Sequence, residues 1–132
     1  MNALLISVHG KYCTMYANGT KKIEVRKQQP KEDFNRTVFI YNTSTKQIEF
    51  KGVLMDVLKL PYRTVSEIYR SQTGLNEKEL RQYAGQREAL TLLDFFHVVT
   101  LKNPVSLNQM RAAGITPPQG YLYINPETLN LN

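Results

Sequence analysis

Asn18–Lys31, NGTKKIEVRKQQPK, sets a turn pair directly against a run of cations that encloses one carboxylate, Glu24. Glycine at position 19 tolerates the left-handed backbone that ends a helix and lets the chain pass close to a ligand. From Thr20 to Lys27 polar and apolar residues alternate with the period of a strand. That parity puts Lys22, Glu24 and Arg26 on one face and Ile23 and Val25 on the other, while Lys21, at the turn, is free to face either way. Flanked by cations, Glu24 is read as an ionised acceptor. Arg26 carries a planar fork of donors suited to a phosphate or a base edge. Two readings stay open at this point: a solvated strand laced with weak ion pairs, or a strand that faces a ligand.

Upstream, ALLISV (3–8) has the short apolar run of a buried strand, and Tyr12, Cys13, Tyr16 and Ala17 follow at helical spacing until Asn18-Gly19 stops them. Downstream, QQPKEDFN is a polar loop broken by Pro30, TVFIYN (37–42) is a buried strand, and TSTK (43–46) a turn. QIEFKGVLMDVLKL alternates up to Gly52 and then shifts phase, which predicts one long strand with a bulge at the glycine. Thr64 with Glu67 and Asn76 with Glu79 fit the capping box, and Leu75 with Leu80 the hydrophobic staple. Residues 89–101, ALTLLDFFHVVTL, make a second long strand that runs into Asn103-Pro104. Ser106 and Gln109 cap a short helix ending at Gly114, with Val105 and Met110 as its staple. TPPQGYLYI supplies a closing strand and NPET a last helical turn. The expected fold is α+β: one domain, residues 1–132, of about six mixed strands with short helices between them. Its long strands are expected to curl into a barrel.

The net charge of +6 is unevenly placed. Up to Arg63 there are eleven Lys or Arg against five Asp or Glu, and from Thr64 onward six against six. A one-sided field of this kind attracts phosphates and nucleic-acid backbones, although a basic surface also serves solubility alone. The single cysteine, Cys13, excludes an intramolecular disulfide. No apolar run approaches the ~20 residues of a membrane helix, and nothing resembles a leader peptide, so a cytoplasmic protein without membrane association is expected. No P-loop, dinucleotide fingerprint or zinc spacing is present, so no cofactor and no metal are expected. His9 and Cys13 share a helical face, the arrangement of a nucleophilic dyad, but Cys13 lies in the apolar stripe and reads as structural. His97 reads as a core or edge histidine of a strand. The eight tyrosines offer stacking platforms for bases, though most are expected in the core.

The segment LLISVHGKYCTMYANGTKKIEVRK resembles the opening of the ASCH domain, a branch of the PUA-like barrels. Its pattern G-x-K-x-x-E-x-R is met by Gly19, Lys21, Glu24 and Arg26. VFIYNTSTKQIEFKGVLMDVL resembles that family's paired strands. Tyr83, Gly85 and Ala89 match its Y-x-G-x-x-x-A segment, and Pro117, Pro118, Gln119 and Tyr121 match its closing P-P-Q-aromatic strand. The similarity is to a stand-alone ASCH protein of bacterial or phage type. It implies a pseudo-barrel with a basic cleft beside the first helix and the strand after it, binding RNA or a modified nucleoside or nucleotide through Lys21, Lys22, Glu24, Arg26, Lys27, His9, Tyr12 and Gln119. Some members are small amidohydrolases on acylated cytidine and others look like nucleases. The resemblance therefore also implies catalysis by Lys21, with Glu24 beside it, on a substrate such as N4-acetylcytidine. The amidohydrolase branch has threonine at the position of Glu24 and draws a second glutamate from a later helix, where Glu77 and Glu79 both qualify. Many members have Lys-Pro where this chain has His9-Gly10. A regulatory or protein-interaction module in transcription or translation, using the barrel as scaffold, is the third expectation.

Overall fold

The computed structural model of the chain describes residues 2–131; Met1 and Asn132, the ends of the expected domain, lie outside them. Six strands form one mixed sheet: β1 (Ala3–Val8), β2 (Ile23–Arg26), β3 (Thr37–Asn42), β4 (Gln47–Pro61), β5 (Ala89–Ser106) and β6 (Leu122–Ile124). Their spatial order is β2-β5-β4-β3-β1-β6. β1 runs parallel to β3 and antiparallel to β6, while the β3–β4, β4–β5 and β5–β2 pairs are antiparallel. The sheet is not closed into a barrel: its edges are β2 and β6.

The central strands are apolar on both faces because both faces are covered. Leu4, Ile6 and Val8 of β1 and Val38 and Ile40 of β3 pack on one side with Phe50, Leu93 and Phe95. Helix α1 (Gly10–Asn18) lays Cys13 and Tyr16 into this cluster, with Tyr16 edge-on to Phe95 at 5.9 Å. Leu5, Phe39 and Tyr41 point the other way, onto Ile48, Met110 and Leu129. A third cluster joins Ile23 and Val25 of β2 to Leu80 and Ala84 of α4 (Glu77–Ala84) and to Leu90 and Leu92. The alternation of strand β2 is thus an edge strand's: apolar side chains inward, Glu24 and Arg26 half-buried on the other face.

The bulge is where the glycine announced it, but the extra residues are on β5. Between the pairs Lys51–Val99 and Val53–Phe96, His97 and Val98 stand opposite Gly52 alone. A side chain at Gly52 would come within 3.1 Å of Val98. His97 sits at the bulge with φ +59, exposed, its ring 5.7 Å from Phe96, so it is no core residue. β5 also runs on past Asn103-Pro104 to Ser106. Pro104 falls in an excursion between two paired stretches, where its missing N–H costs no ladder bond.

The capping boxes at Asn76 and Ser106 form as expected, the latter opening α5 (Leu107–Ala112). The one expected at Thr64 does not. A helical stretch already begins after Pro61, with α2 (Tyr62–Thr64), a π-helical turn (Val65–Tyr69) and α3 (Arg70–Thr73). Thr64 is therefore itself helical and caps nothing, and Glu67 pairs with Arg63 at 2.9 Å instead. Among the described residues no helix is long and apolar enough to cross a membrane.

Candidate functional site

The cleft lies where the sheet fails to close. No backbone ladder joins β2 to β1 among the described residues; instead Arg26, at the end of β2, reaches across and donates from Nη2 to the carbonyl of Ser7 at 2.8 Å. A recess of about 210 Å³ in this gap is lined by Ser7, His9, Tyr12, Glu24, Arg26 and Tyr83. Beside it an inner compartment of about 290 Å³ takes in Tyr12, Lys21, Glu24, Leu75, Glu79 and Tyr83. An outer groove of about 580 Å³ is lined by Arg26, Lys27, Lys31, Arg87, Gln119 and Tyr121, among others. Tyr83 borders all three, and Glu24 and Arg26 each border two, so they make one continuous cleft.

The turn that follows α1 decides where Lys21 goes. Gly19 adopts φ +81, and the amides of Thr20 and Lys21 both donate to the Met15 carbonyl at 3.0 and 3.2 Å. The amide of Lys22 then ties to the carbonyl of Gln72, and the Lys21 side chain turns inward until the residue is 4% exposed. Its Nζ donates to the carbonyls of Ile23 (2.7 Å) and Thr73 and lies 3.3 Å from Glu24 Oε1. The rings of Tyr12 and Tyr16 stand 5.5 and 5.4 Å from the same atom. Three fixed acceptors meet the three protons of an ammonium. Burial draws the Lys21 pKa below the usual lysine value, and the charge of Glu24 opposes that pull. Gly74, at φ +75, makes room for the stem: a Cβ there would stand 3.3 Å from Lys21 Cδ and 2.6 Å from Met15 Sδ.

Glu24 joins the two buried cations. Oε1 accepts from the Tyr16 hydroxyl at 3.2 Å and faces Lys21, while Oε2 lies 2.9 Å from Arg26 Nη2. The Glu24 and Arg26 side chains are only 12% and 11% exposed. Burial first, and the charge of Glu24 second, hold the Tyr16 pKa well above the usual phenol value, so its hydroxyl remains a donor. Two polar atoms beside this network, Arg26 Nε and Ser7 Oγ, are buried without a hydrogen-bond partner among the described residues.

Of the two helix glutamates, Glu79 is the one in the cleft. Its Oε2 accepts from Lys11 Nζ (2.7 Å) and the Tyr12 hydroxyl (3.0 Å), and its Oε1 from the Asn76 amide at 2.9 Å. That amide first, then Lys11 and Tyr12, holds the carboxyl down to a pKa of about 2. Glu77 turns away to the hydroxyls of Tyr62 and Ser66.

The outer groove is built on a pinned loop. The Tyr121 hydroxyl donates to the Gln28 carbonyl at 2.7 Å, and the Tyr123 hydroxyl accepts from the amides of Lys31 (2.7 Å) and Glu32 (3.1 Å). Lys27 Nζ lies 5.0 Å from the Tyr83 ring, and Arg26 Cζ lies 5.9 Å from that of Tyr121. Arg87 arrives from the charge-balanced half of the chain, and charge counting alone misses it. The signal for it is Gly85, whose φ +60 and ψ −124 end α4 in a conformation that suits glycine almost alone.

Lys21, Glu24, Arg26, Lys27, His9, Tyr12 and Gln119 therefore all line the cleft. Lys22 does not; it points outward, 3.8 Å from Asp94. No nucleophilic dyad forms at α1. His9 caps the helix by accepting from the Lys11 amide, while the Cys13 thiol contacts the Val8 carbonyl and is pushed up to about 12 by burial. No cluster of three or more His, Cys, Asp or Glu suited to a metal occurs among the described residues.

A family model described as ASCH domain matches residues 6–103. The chain belongs to the ASCH family. ASCH domains are PUA-like and associated with RNA. The crystal structure of ZmASCH from Zymomonas mobilis superposes with a TM-score of 0.87 at 21% identity, covering 97% of this chain and 91% of that one. Two ZmASCH mutants give TM-scores of 0.87 and 0.88 at 21% and 20% identity, over 97% and 98% of this chain and 92% and 95% of theirs. At such identity the likeness is one of fold. No curated protein matches the sequence.

Proposed function

We propose that this ASCH domain, spanning residues 1–132, binds RNA or a nucleotide in the cleft between β2, α1 and α4, and that it binds rather than hydrolyses. The observation that carries this reading is the state of Lys21. A catalytic amine needs a lone pair or a free proton aimed at the substrate. All three protons of Lys21 are met by acceptors, two of them backbone carbonyls that cannot move away without breaking the end of α3 or of β2. Lys21 then acts as a buried charge that holds Glu24 in place. Glu24, Arg26 and the rings of Tyr12 and Tyr83 present the donors, acceptors and faces that meet a base.

An amidohydrolase is the second reading, and one observation favours it: Glu79, held ionised, borders the same 290 Å³ compartment as Lys21 and Tyr12. The two readings separate in one experiment. Wild-type protein is expected to gain melting temperature with nucleosides or short RNA, because a ligand of the folded state stabilises it, and to release no acetate from N4-acetylcytidine. Acetate release that disappears in a folded Lys21→Ala variant would replace binding by hydrolysis.

A further inference from the structure

The inner compartment of the cleft and its outer groove differ in how their charges are balanced, and the difference names a ligand class. In the inner compartment Lys21 faces Glu24, which also holds Arg26 where the cleft passes into the outer groove, and Lys11 at the rim holds Glu79. In the outer groove Lys27, Lys31 and Arg87 are exposed and form no ion pair among the described residues. Among those residues Glu32 is the one acidic group lining it.

We propose that the outer groove is a separate phosphate-and-stacking subsite, and that the ligand is therefore a phosphorylated single-stranded RNA segment rather than a free nucleoside. This rests on the nucleotide-binding reading of the inner compartment and extends it. A nucleoside would fill the inner compartment and leave three unpaired cations facing water. A chain of nucleotides brings the negative charge those cations lack and releases counterions on docking. The groove also has the shape for it. At about 580 Å³ it exceeds what one phosphate occupies, and its lining includes two aromatic rings, Tyr83 and Tyr121, as stacking partners for a neighbouring base. Its floor is preorganised, since the Gln28–Glu32 loop is held by the Tyr121 and Tyr123 hydroxyls. Arg87 is placed there by the Gly85 turn, so residues from both halves of the chain converge on one groove.

The test is binding of three probes, a ribonucleoside, its 5′-monophosphate and a four-nucleotide single-stranded RNA, to wild-type protein and to Lys31→Ala/Arg87→Ala. Both residues are exposed, so the variant is expected to keep its melting temperature. Wild type is expected to bind the RNA at least about 10-fold tighter than the nucleoside at low salt, and the variant to lose most of that gain while its nucleoside affinity is unchanged. Its slope of log affinity against log salt should fall by roughly 1.4, at about 0.7 for each lost single-strand phosphate contact. An RNA affinity untouched by the double substitution would overturn the subsite. So would an equal loss for the nucleoside, or competition by a polyglutamate peptide as strong as that by RNA. A nucleoside that binds without any gain for RNA would sink this inference and spare the inner site; no binding of any probe would sink both.

Discussion

Lys21 and Lys31 line neighbouring compartments of one cleft under opposite regimes. Lys21 is buried, its charge shared with Glu24 and two carbonyls and its stem packed against Gly74. Lys31 is exposed on a loop whose backbone, and not whose charge, is what Tyr123 holds. Buried and paired charge commits the protein to one geometry, because removing one partner strands the other in a poorly solvated place. Exposed and unpaired charge commits it to nothing until an anion arrives. The inner compartment thus gives shape, and the outer groove attraction.

The largest effect should come from breaking the inner network. Glu24→Leu leaves Lys21 and Arg26 without their common anion and is expected to cost about 3–5 kcal/mol in denaturant unfolding. Adding Lys21→Met should return part of that loss, as coupled neighbours do in a double-mutant cycle. A cost under about 1 kcal/mol would put Glu24 in the class of an exposed ion pair and erase the contrast with Lys31.

Two left-handed glycines sharpen the same comparison at smaller scale. Gly74 beside the inner compartment suffers both φ +75 and a crowded Cβ, so Gly74→Ala is expected to cost about 2 kcal/mol or more. Gly85 beside the outer groove has open space, nothing within 4 Å of where a Cβ would stand, so Gly85→Ala should cost only the backbone strain, about 1–3 kcal/mol. A Gly74→Ala cost in thermal unfolding of no more than about 1 kcal/mol would mean that the crowding against Met15 and Lys21 adds nothing to the backbone strain.

The smallest effect concerns Glu79 at the rim. Its folded pKa of about 2 lies below its ordinary value of 4.5. The folded state therefore favours the ionised carboxyl, and the stabilisation is full above pH 4.5 and lost as pH falls toward 2. Wild type should exceed Glu79→Gln in melting temperature near pH 6, and the two should converge across that window. A gap that persists unchanged down to the folded pKa would assign the difference to the cap geometry alone.

Much of the fold was legible because it is written in local rules. The alternation of Ile23 and Val25 with Glu24 and Arg26, the stop at Gly19 and the capping boxes at Asn76 and Ser106 each need only their neighbours in sequence. The failed box at Thr64 had the same letters, but Pro61 started the helical stretch a turn earlier and Glu67 found Arg63. Lys22 shows the same limit: strand parity grouped it with Glu24 and Arg26, yet it lies just ahead of β2, its Nζ 3.8 Å from Asp94 and outside the cleft.

By itself, then, the sequence determined an α+β ASCH domain, the turn before β2 and the candidate cluster Lys21, Glu24 and Arg26, since strand and helix periods and the G-x-K-x-x-E-x-R spacing are properties of a linear chain. Only the tertiary structure decided that the sheet stays open, that Arg26 spans the gap to Ser7, and that Glu79 rather than Glu77 enters the cleft. It also brought Arg87 beside Lys27 and Lys31. These are meetings between segments far apart in the chain. They depend on how the sheet curls and where α4 docks, and burial of the Ile23–Leu80–Leu92 cluster fixes both.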